Sequence, residues 1–370
     1  MTLNYITFDI WWDTDMTILP ELCKKYKVNV FEVEPCGNDK GKYPHKEDYG
    51  FNKFVIYKPK YHNWDIRKAW GSLKLFRQIY KECKKKDAVN LFIFGGEAYW
   101  VVLLYFFLSK RNSIIAAHNY KAHIDNRKNI FTYCYQRYCS RFSRFLFFSS
   151  LQRAEFLKDH PTKEAFNITM PLKDFGAPAR KREDNKITFL FFGNMRVYKR
   201  PDLYIKAANA VSAGQARFLM VGSGKKESYA SLIERPDDFL LDTRHVANEE
   251  IPDIFCNADF LVLPYEDATQ SGPSLIAVNY GIPIIASRLP AFERLVTDGE
   301  NGYLFPSGDA DALANVFKTV IEKGRPNIER MKENMRKFKA EYVRHNDVLE
   351  VFGKMLKEES GRESLHPSAE

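Results

Sequence analysis

The sequence predicts an α/β protein built from two doubly wound parallel sheets, and three observations carry that expectation. At 370 residues the chain exceeds what one ordinary core organises, so two domains are expected. Short apolar runs alternate with helical stretches, the rhythm of β-α-β units. That rhythm breaks at Pro178-Ala-Arg-Lys-Arg-Glu-Asp-Asn185, which is polar and aperiodic, and restarts beyond it.

In the first half, Asn4 to Phe8, Val28 to Val33, Asn90 to Phe94 and Ser113 to Ala117 are β-branched or aromatic runs predicted as strands. Residues 65–84 and 97–110 have helical length and pattern. A final strand, Arg144 to Phe148, leads into a helix that Ser150 can cap. The second half alternates more cleanly. Strands are expected at Ile187 to Phe192, Arg217 to Val221, Phe239 to Asp242, Phe260 to Leu263 and Ile282 to Ala286. Helices are expected at Asp202 to Val211, Glu249 to Asn257, Pro273 to Tyr280 and Asp309 to Lys323, and one or two more between Ile328 and Lys357. The predicted organisation is an N-terminal domain over 1–180, a C-terminal domain over 186–340, a terminal helix at 341–358 and a disordered tail at 359–370.

Composition narrows the function class. Hydrophobic residues at 45% and charged residues at 28% are globular values. The net charge of +9 is unevenly placed: residues 1–182 carry 32 basic against 18 acidic side chains, and the remainder 24 against 29. The first half therefore favours an anionic partner such as a membrane surface or nucleic acid. No nucleic-acid motif accompanies that charge, so nucleic acid is not expected. Six cysteines without Cys-x-x-Cys spacing read as reduced thiols in a cytoplasmic protein. Asp9, Asp13 and Asp15 are unsuited to a signal peptide, and the longest apolar run, Ala98 to Leu108, falls well short of the roughly 20 residues that span a bilayer.

The chemistry concentrates at the carboxyl ends of the second-half strands, where an open parallel sheet binds ligands and helix starts offer free N–H groups to anions. After Leu263 the chain runs through Gln270, Ser271, Gly272, Pro273 and Ser274 into an apolar helix that Gly281 ends. Gly272 suits the N-cap and Pro273 the first helical position. Alone this is equally an ordinary capped helix. Gly193-Asn-Met-Arg196-Val-Tyr-Lys199 follows another strand, and its two cations are suited to neutralising a diphosphate while Gly193 lets a ligand approach the backbone. Val221-Gly-Ser-Gly224 is a lone Gly-x-Gly, more often a turn than a site.

The order of these pieces resembles the C-terminal domain of retaining GT-B glycosyltransferases of family 4. The resemblance rests on Phe191-Phe-Gly-Asn-Met-Arg-Val-Tyr-Lys-Arg-Pro-Asp202, Phe218-Leu-Met-Val-Gly-Ser-Gly224, Asn257-Ala-Asp-Phe-Leu-Val-Leu-Pro-Tyr265, Gln270 to Ser287 and Asp298-Gly-Glu-Asn-Gly-Tyr-Leu-Phe-Pro306. It implies two Rossmann-like domains facing across a cleft, with C-terminal helices crossing back. It also implies transfer from a nucleotide diphosphate sugar to a glycan or lipid-linked hydroxyl, with no cofactor and no metal. Arg196 and Lys199 then match the basic pair that stabilises the leaving diphosphate. Gln270, Ser271, Gly272 and Ser274 match the diphosphate loop, and Arg244, His245 and Val246 the base-binding segment. Glu293 matches a recurrent acidic position of unassigned role. Where family members commonly carry two glutamates, this chain has Ala268 and Ile276; Glu266 and Asp267 lie nearby.

In the first half, His118 follows a strand where relatives often place a histidine facing the sugar. Gly95-Gly96-Glu97 reads more readily as a turn and helix start, and the stretch from Asp9 to Asp15, with Trp11 and Trp12, suits a sugar-hydroxyl surface. A helix over Lys128 to Arg144 with Arg137, Arg141 and Arg144 can lie on an anionic bilayer or be a core helix with a basic face. The first of these places the protein peripherally at the inner face of a membrane. Two other classes fit the same residues, a nucleotide-sugar epimerase on this scaffold and a non-catalytic partner of another glycosyltransferase.

Overall fold

A computed structural model describes residues 1–8, 12–35, 50–58, 77, 79–85, 88–94, 112–117, 120, 142–180, 184–344 and 348–362. They form two compact units. One takes in the described residues up to Pro171 and those from Val348 onward; the other runs from Leu172 to Arg344.

The first unit is a parallel sheet of β1 (Thr2–Phe8), β2 (Lys27–Pro35), β3 (Asn52–Lys58), β4 (Ala88–Phe94), β5 (Ser113–Ala117), β6 (Arg144–Phe147) and β7 (Glu164–Asn167), in the order β3-β2-β1-β4-β5-β6-β7. Central strands of such a sheet are covered on both faces, which is why β5 and β6 are buried along their whole length. β7 is half-buried at every position, as an edge strand is, and its Glu-Ala-Phe-Asn composition carries no apolar run to betray it. The sequence reading missed it for that reason, and missed β3 as well.

Asn4, Asn29 and Asn90 lie in one register row across β2, β1 and β4. Asn29 Nδ2 donates to Asn4 Oδ1 at 3.0 Å, and Asn4 Nδ2 to Asn90 Oδ1 at 2.9 Å. Asn90 Nδ2 then donates to the Cys83 carbonyl at 3.1 Å, docking the helical residues 79–83 against the sheet. Each buried amide has its partner, so the row fixes the mutual register of three strands.

Three expectations for this half change. Asp15 does not face a ligand: it is fully buried, and its carboxylate accepts hydrogen bonds from the Tyr5 hydroxyl at 2.6 Å and from the Thr7 hydroxyl. Burial, with Asp15 beside it, pushes the Tyr5 phenol well above its usual range, which keeps it a donor. Arg144 belongs to no basic helix face; it is the buried first residue of β6, in register with Ile114 and Glu164. The helix Ser150–Asp159 has Ser149, not Ser150, as its N-cap residue. Asp9, Trp11, Gly95, Gly96, Glu97, His118, Arg137 and Arg141 lie outside the described residues, as does most of each helix expected over 65–84, 97–110 and 128–144.

The second unit is a parallel sheet of β8 (Ile187–Phe192), β9 (Ala216–Val221), β10 (Phe239–Asp242), β11 (Phe260–Leu263), β12 (Ile284–Ser287) and β13 (Gly302–Phe305), ordered β10-β9-β8-β11-β12-β13. Phe189, Phe218, Phe260 and Phe317 pack in one aromatic group with Tyr204, whose hydroxyl donates to the Phe189 carbonyl at 2.8 Å. The chain winds outward from β8 through β9 and β10, then crosses back to β11 on the other side. The carboxyl ends of β8 and β11 therefore flank the point where winding reverses, the usual crevice of such a sheet.

The last long helical stretch, Ala310–Arg344, is broken at Gly324, whose φ of 63° and ψ of −164° are not helical, and Pro326 follows at once. Only glycine takes that backbone without strain, and proline suits the restart of a helix rather than its interior. The helix Val348–Arg362 buries Val348, Phe352, Met355 and Leu356, one face of a 3.6-residue period, and packs on the helix Leu19–Cys23 and on β7. It continues to Arg362, beyond the residue at which the sequence suggests a tail. No helix among the described residues is long and apolar enough to cross a membrane.

Candidate active site

The site forms where the loops after β8 and β11 meet. β8 ends at Phe192, and Gly193 N–H donates to the Val221 carbonyl at 2.9 Å. Met195 N–H donates to Ser223 O at 2.9 Å, and Gly222 N–H to Asp242 O at 2.9 Å, so the loops after β8, β9 and β10 are hydrogen-bonded in series. This gives the Gly-x-Gly of β9 a structural role. Gly222 has φ +141°, and a Cβ there would run into the Gly193 carbonyl. Gly222→Ala is expected to shift the Gly193 loop and cost about 2 kcal/mol or more. Thermal melts check it: the midpoint should fall, and a variant that melts like the parent would sink the idea.

Beyond Gly193 the chain turns through the 3₁₀ segment Val197–Lys199, with exposed Arg196 at its start. Lys199 is only 9% exposed. The point a Cβ on Gly193 would occupy lies 3.3 Å from the Lys199 ammonium and 3.6 Å from the Pro273 ring, which brings the lysine to the start of the helix Gly272–Asn279. Among the described residues no carboxylate pairs with this ammonium. It sits over the Tyr265 ring, 5.3 Å from the centroid. A ring face holds a cation without neutralising it, leaving the charge for an anion. Burial pushes the Lys199 ammonium below the ordinary lysine range, and the neighbouring Arg196 charge acts the same way, against Tyr198.

The helix start differs from expectation by one residue. Ser271, not Gly272, is the N-cap: its Oγ accepts from Ser274 N–H at 3.4 Å, and the Ser274 hydroxyl donates back to the Ser271 carbonyl at 2.7 Å. Serine has the side-chain acceptor that glycine lacks, so it takes the capping position. Ser271 and Ser274 are buried, while Gly272, at the first turn, is partly open with its N–H at the positive end of the helix. Gln270 is partly buried just before the cap.

The segment that the resemblance assigns to a base, Arg244 to Val246, follows β10. β10 is two strands from β8, about 10 Å at the usual strand spacing. There Val246 is buried and His245 exposed, while Arg244 is held by Glu250 and by Asp242 at 2.9 Å. Arg244 pulls the Glu250 carboxyl down to about 2. The Arg244 side chain is therefore a brace of its loop, and the adjoining backbone is what remains for a base.

Ile276 is buried in the core and Ala268 packs against it, so neither position offers a polar group. Glu266 is held by Arg200 at 2.5 Å, and Arg200 also pairs with Asp202 at 2.9 Å; Glu266 N–H donates to Tyr198 O at 2.8 Å. These contacts bolt the Arg196–Lys199 loop to the one after β11. Glu293 is exposed, 3.9 Å from Arg288. The sequence reading gave no role to Tyr265, which lies past its predicted strand, or to Lys173, which carries no local signal. Lys173 is buried, its ammonium 3.6 Å from the Cβ point of Gly272. Among the described residues no three His, Cys, Asp or Glu side chains stand together as metal ligands.

Residues 186–323 match the family model described as Glycosyl transferases group 1. The chain is 38% identical over 66 residues to the phosphatidyl-myo-inositol mannosyltransferase of Mycobacterium leprae, 18% of each chain. Its matches span between 18% and 37% of the length of such curated relatives. Among solved structures it is similar to sucrose-phosphate synthase from Thermosynechococcus elongatus, at 12% identity and TM-score 0.76 over 97% of this chain and 100% of that one. Anabaena HepE in complex with UDP-glucose is similar at 14% identity and TM-score 0.69, over 98% and 100%. Residues 186–323 thus match the glycosyl transferases group 1 model, in a chain with the GT-B fold of glycosyltransferase structures.

Proposed function

We propose that the protein is a glycosyltransferase that moves a sugar from a nucleotide diphosphate donor, a UDP-sugar foremost, to a hydroxyl of a glycan or lipid-linked acceptor. The observation that carries this reading is the buried, unneutralised Lys199 at the start of the Gly272–Asn279 helix, beside the winding reversal of its sheet. Negative charge grows on the diphosphate as the glycosidic bond breaks. Cations and N–H groups already fixed around it stabilise that charge most in the transition state. Lys199 and Arg196 hold the leaving diphosphate, the Gly272 turn receives it, and the backbone at His245 and Val246 holds the base.

The UDP-glucose complex of a protein with the same fold supports a UDP donor. Retention of anomeric configuration follows from the family resemblance. The basic excess of residues 1–182 supports an anionic or membrane-borne acceptor held by the first unit, at the inner face of a membrane. With neither Ala268 nor Ile276 able to donate or accept a proton, transfer is favoured over epimerisation.

The test is release of UDP from a panel of UDP-sugars, with and without candidate acceptors, beside Arg196→Ala and Lys199→Ala. Sugar-dependent release that falls in both variants supports the reading. A chain that binds no nucleotide and releases none refutes it.

A further inference from the structure

Lys173, in the first residues of the second unit, is 7% exposed, a rare position for a lysine. Its ammonium and Cε lie 3.6 and 3.9 Å from the point a Cβ on Gly272 would occupy. At the same helix start, the Cβ point of Gly193 is 3.3 Å from the Lys199 ammonium and 3.6 Å from the Pro273 ring. Two buried lysines thus bring their ammonium groups to one turn of helix, whose own N–H groups add positive character there. The Lys199 ammonium has no hydrogen-bond or ion-pair partner among the described residues and rests over the Tyr265 ring.

The chain around Lys173 is fixed from the helix's far end. Phe175 N–H donates to the Tyr280 hydroxyl at 3.0 Å, and that hydroxyl lies 3.0 Å from the Gly176 carbonyl, which accepts from it. Residues 173–176 are therefore docked on the helix whose first turn receives the Lys173 side chain.

We propose that Lys173 is a binding residue for the donor's diphosphate, which is clasped between Lys173 and Lys199 over the Gly272 turn. The proposal rests on the donor reading above and adds a residue from outside the Arg196–Lys199 loop. It also makes the start of the second unit responsive to the donor, because anchoring Lys173 on the anion tightens residues 173–176 on their helix.

Calorimetry on the intact chain with inorganic pyrophosphate, UDP and uridine tests this. Lys173→Met is expected to weaken pyrophosphate and UDP by about tenfold or more, the scale of one charge-assisted hydrogen bond, and to leave uridine unchanged. Lys173→Arg should restore most of the loss. Unchanged pyrophosphate affinity in Lys173→Met overturns the proposal, as does an equal loss for uridine and UDP, the mark of a purely structural role. A parent chain that binds pyrophosphate but not UDP refutes the UDP-donor reading and leaves the lysine clasp standing. A parent that binds UDP with Lys173→Met unaffected does the reverse, and a parent that binds neither overturns both.

Discussion

Lys199→Met is expected to lower kcat for sugar transfer by about 10²- to 10³-fold, the usual cost of removing one preorganised charge stabiliser. Folding should be unharmed. The native state keeps this ammonium away from water, over the Tyr265 ring and without a carboxylate partner among the described residues, so an apolar side chain of similar length removes a cost rather than a support. The thermal midpoint should therefore stay or rise while the midpoint shift produced by UDP collapses.

The pH dependence follows from the same burial. Lys199 has a folded pKa below that of the unfolded chain, so between the two values the unfolded state binds more protons and stability rises with pH. A bound diphosphate favours the charged form and draws the proton back. UDP affinity of the parent should thus fall as the pH climbs through the alkaline range, and Lys199→Met should lack that fall. Equal pH profiles for parent and variant, or a variant that loses its fold along with its activity, would contradict the assignment.

Asp259→Ala should give the largest stability loss, about 3 kcal/mol, because it removes the buried carboxylate that half-buried Arg325 and Lys332 and the Thr188 N–H share. Asp259 stands just before β11, at the edge of the sheet opposite the site. Its carboxylate accepts from Thr188 N–H at 3.0 Å, Arg325 Nη1 at 2.5 Å and Lys332 Nζ at 3.1 Å. It therefore ties β8 and β11 to the Gly324–Pro326 break and to the helix that follows it. Burial pushes this carboxyl up, but Lys332, Arg325 and the Thr188 N–H together outweigh it and hold it below the usual carboxylate range. A carboxyl with a depressed folded pKa stabilises fully above its unfolded value of about 3.9, and the stabilisation fades as pH drops through the folded one. The difference between parent and Asp259→Ala should accordingly be complete at neutral pH and shrink in acid. Hydrogen exchange of the β8 and β11 amides in urea reads this out locally; a difference that is small, or independent of pH, would show that the cluster does not support these strands.

Legibility differed between the two halves for physical reasons. Strands covered on both faces announce themselves as apolar runs, so the predicted Ile187 to Phe192 and Phe260 to Leu263 coincide with β8 and β11. β7 has one side open and needs few apolar residues, and the Gly302–Phe305 strand starts on a glycine directly after a turn. At the site, Arg196, Lys199 and the Gly-Pro-Ser helix start are local patterns. Asp259, Tyr265 and Lys173 are not: each takes its meaning from groups that are distant in sequence.

By itself, the sequence determined the class of fold, the two-unit organisation and the candidate diphosphate loops, because periodicity, glycine placement and paired cations are local properties of a chain. Only the tertiary structure decided which charges are spent and which remain available. Arg200, Arg244 and Arg325 are bound to carboxylates, Asp15 is turned inward to Tyr5 and Thr7, and Ser271 is taken up as a helix cap. Lys199 rests on a ring that leaves its charge intact. Whether a cation is neutralised depends on what lies within a few ångströms of it, and sequence spacing does not encode that distance.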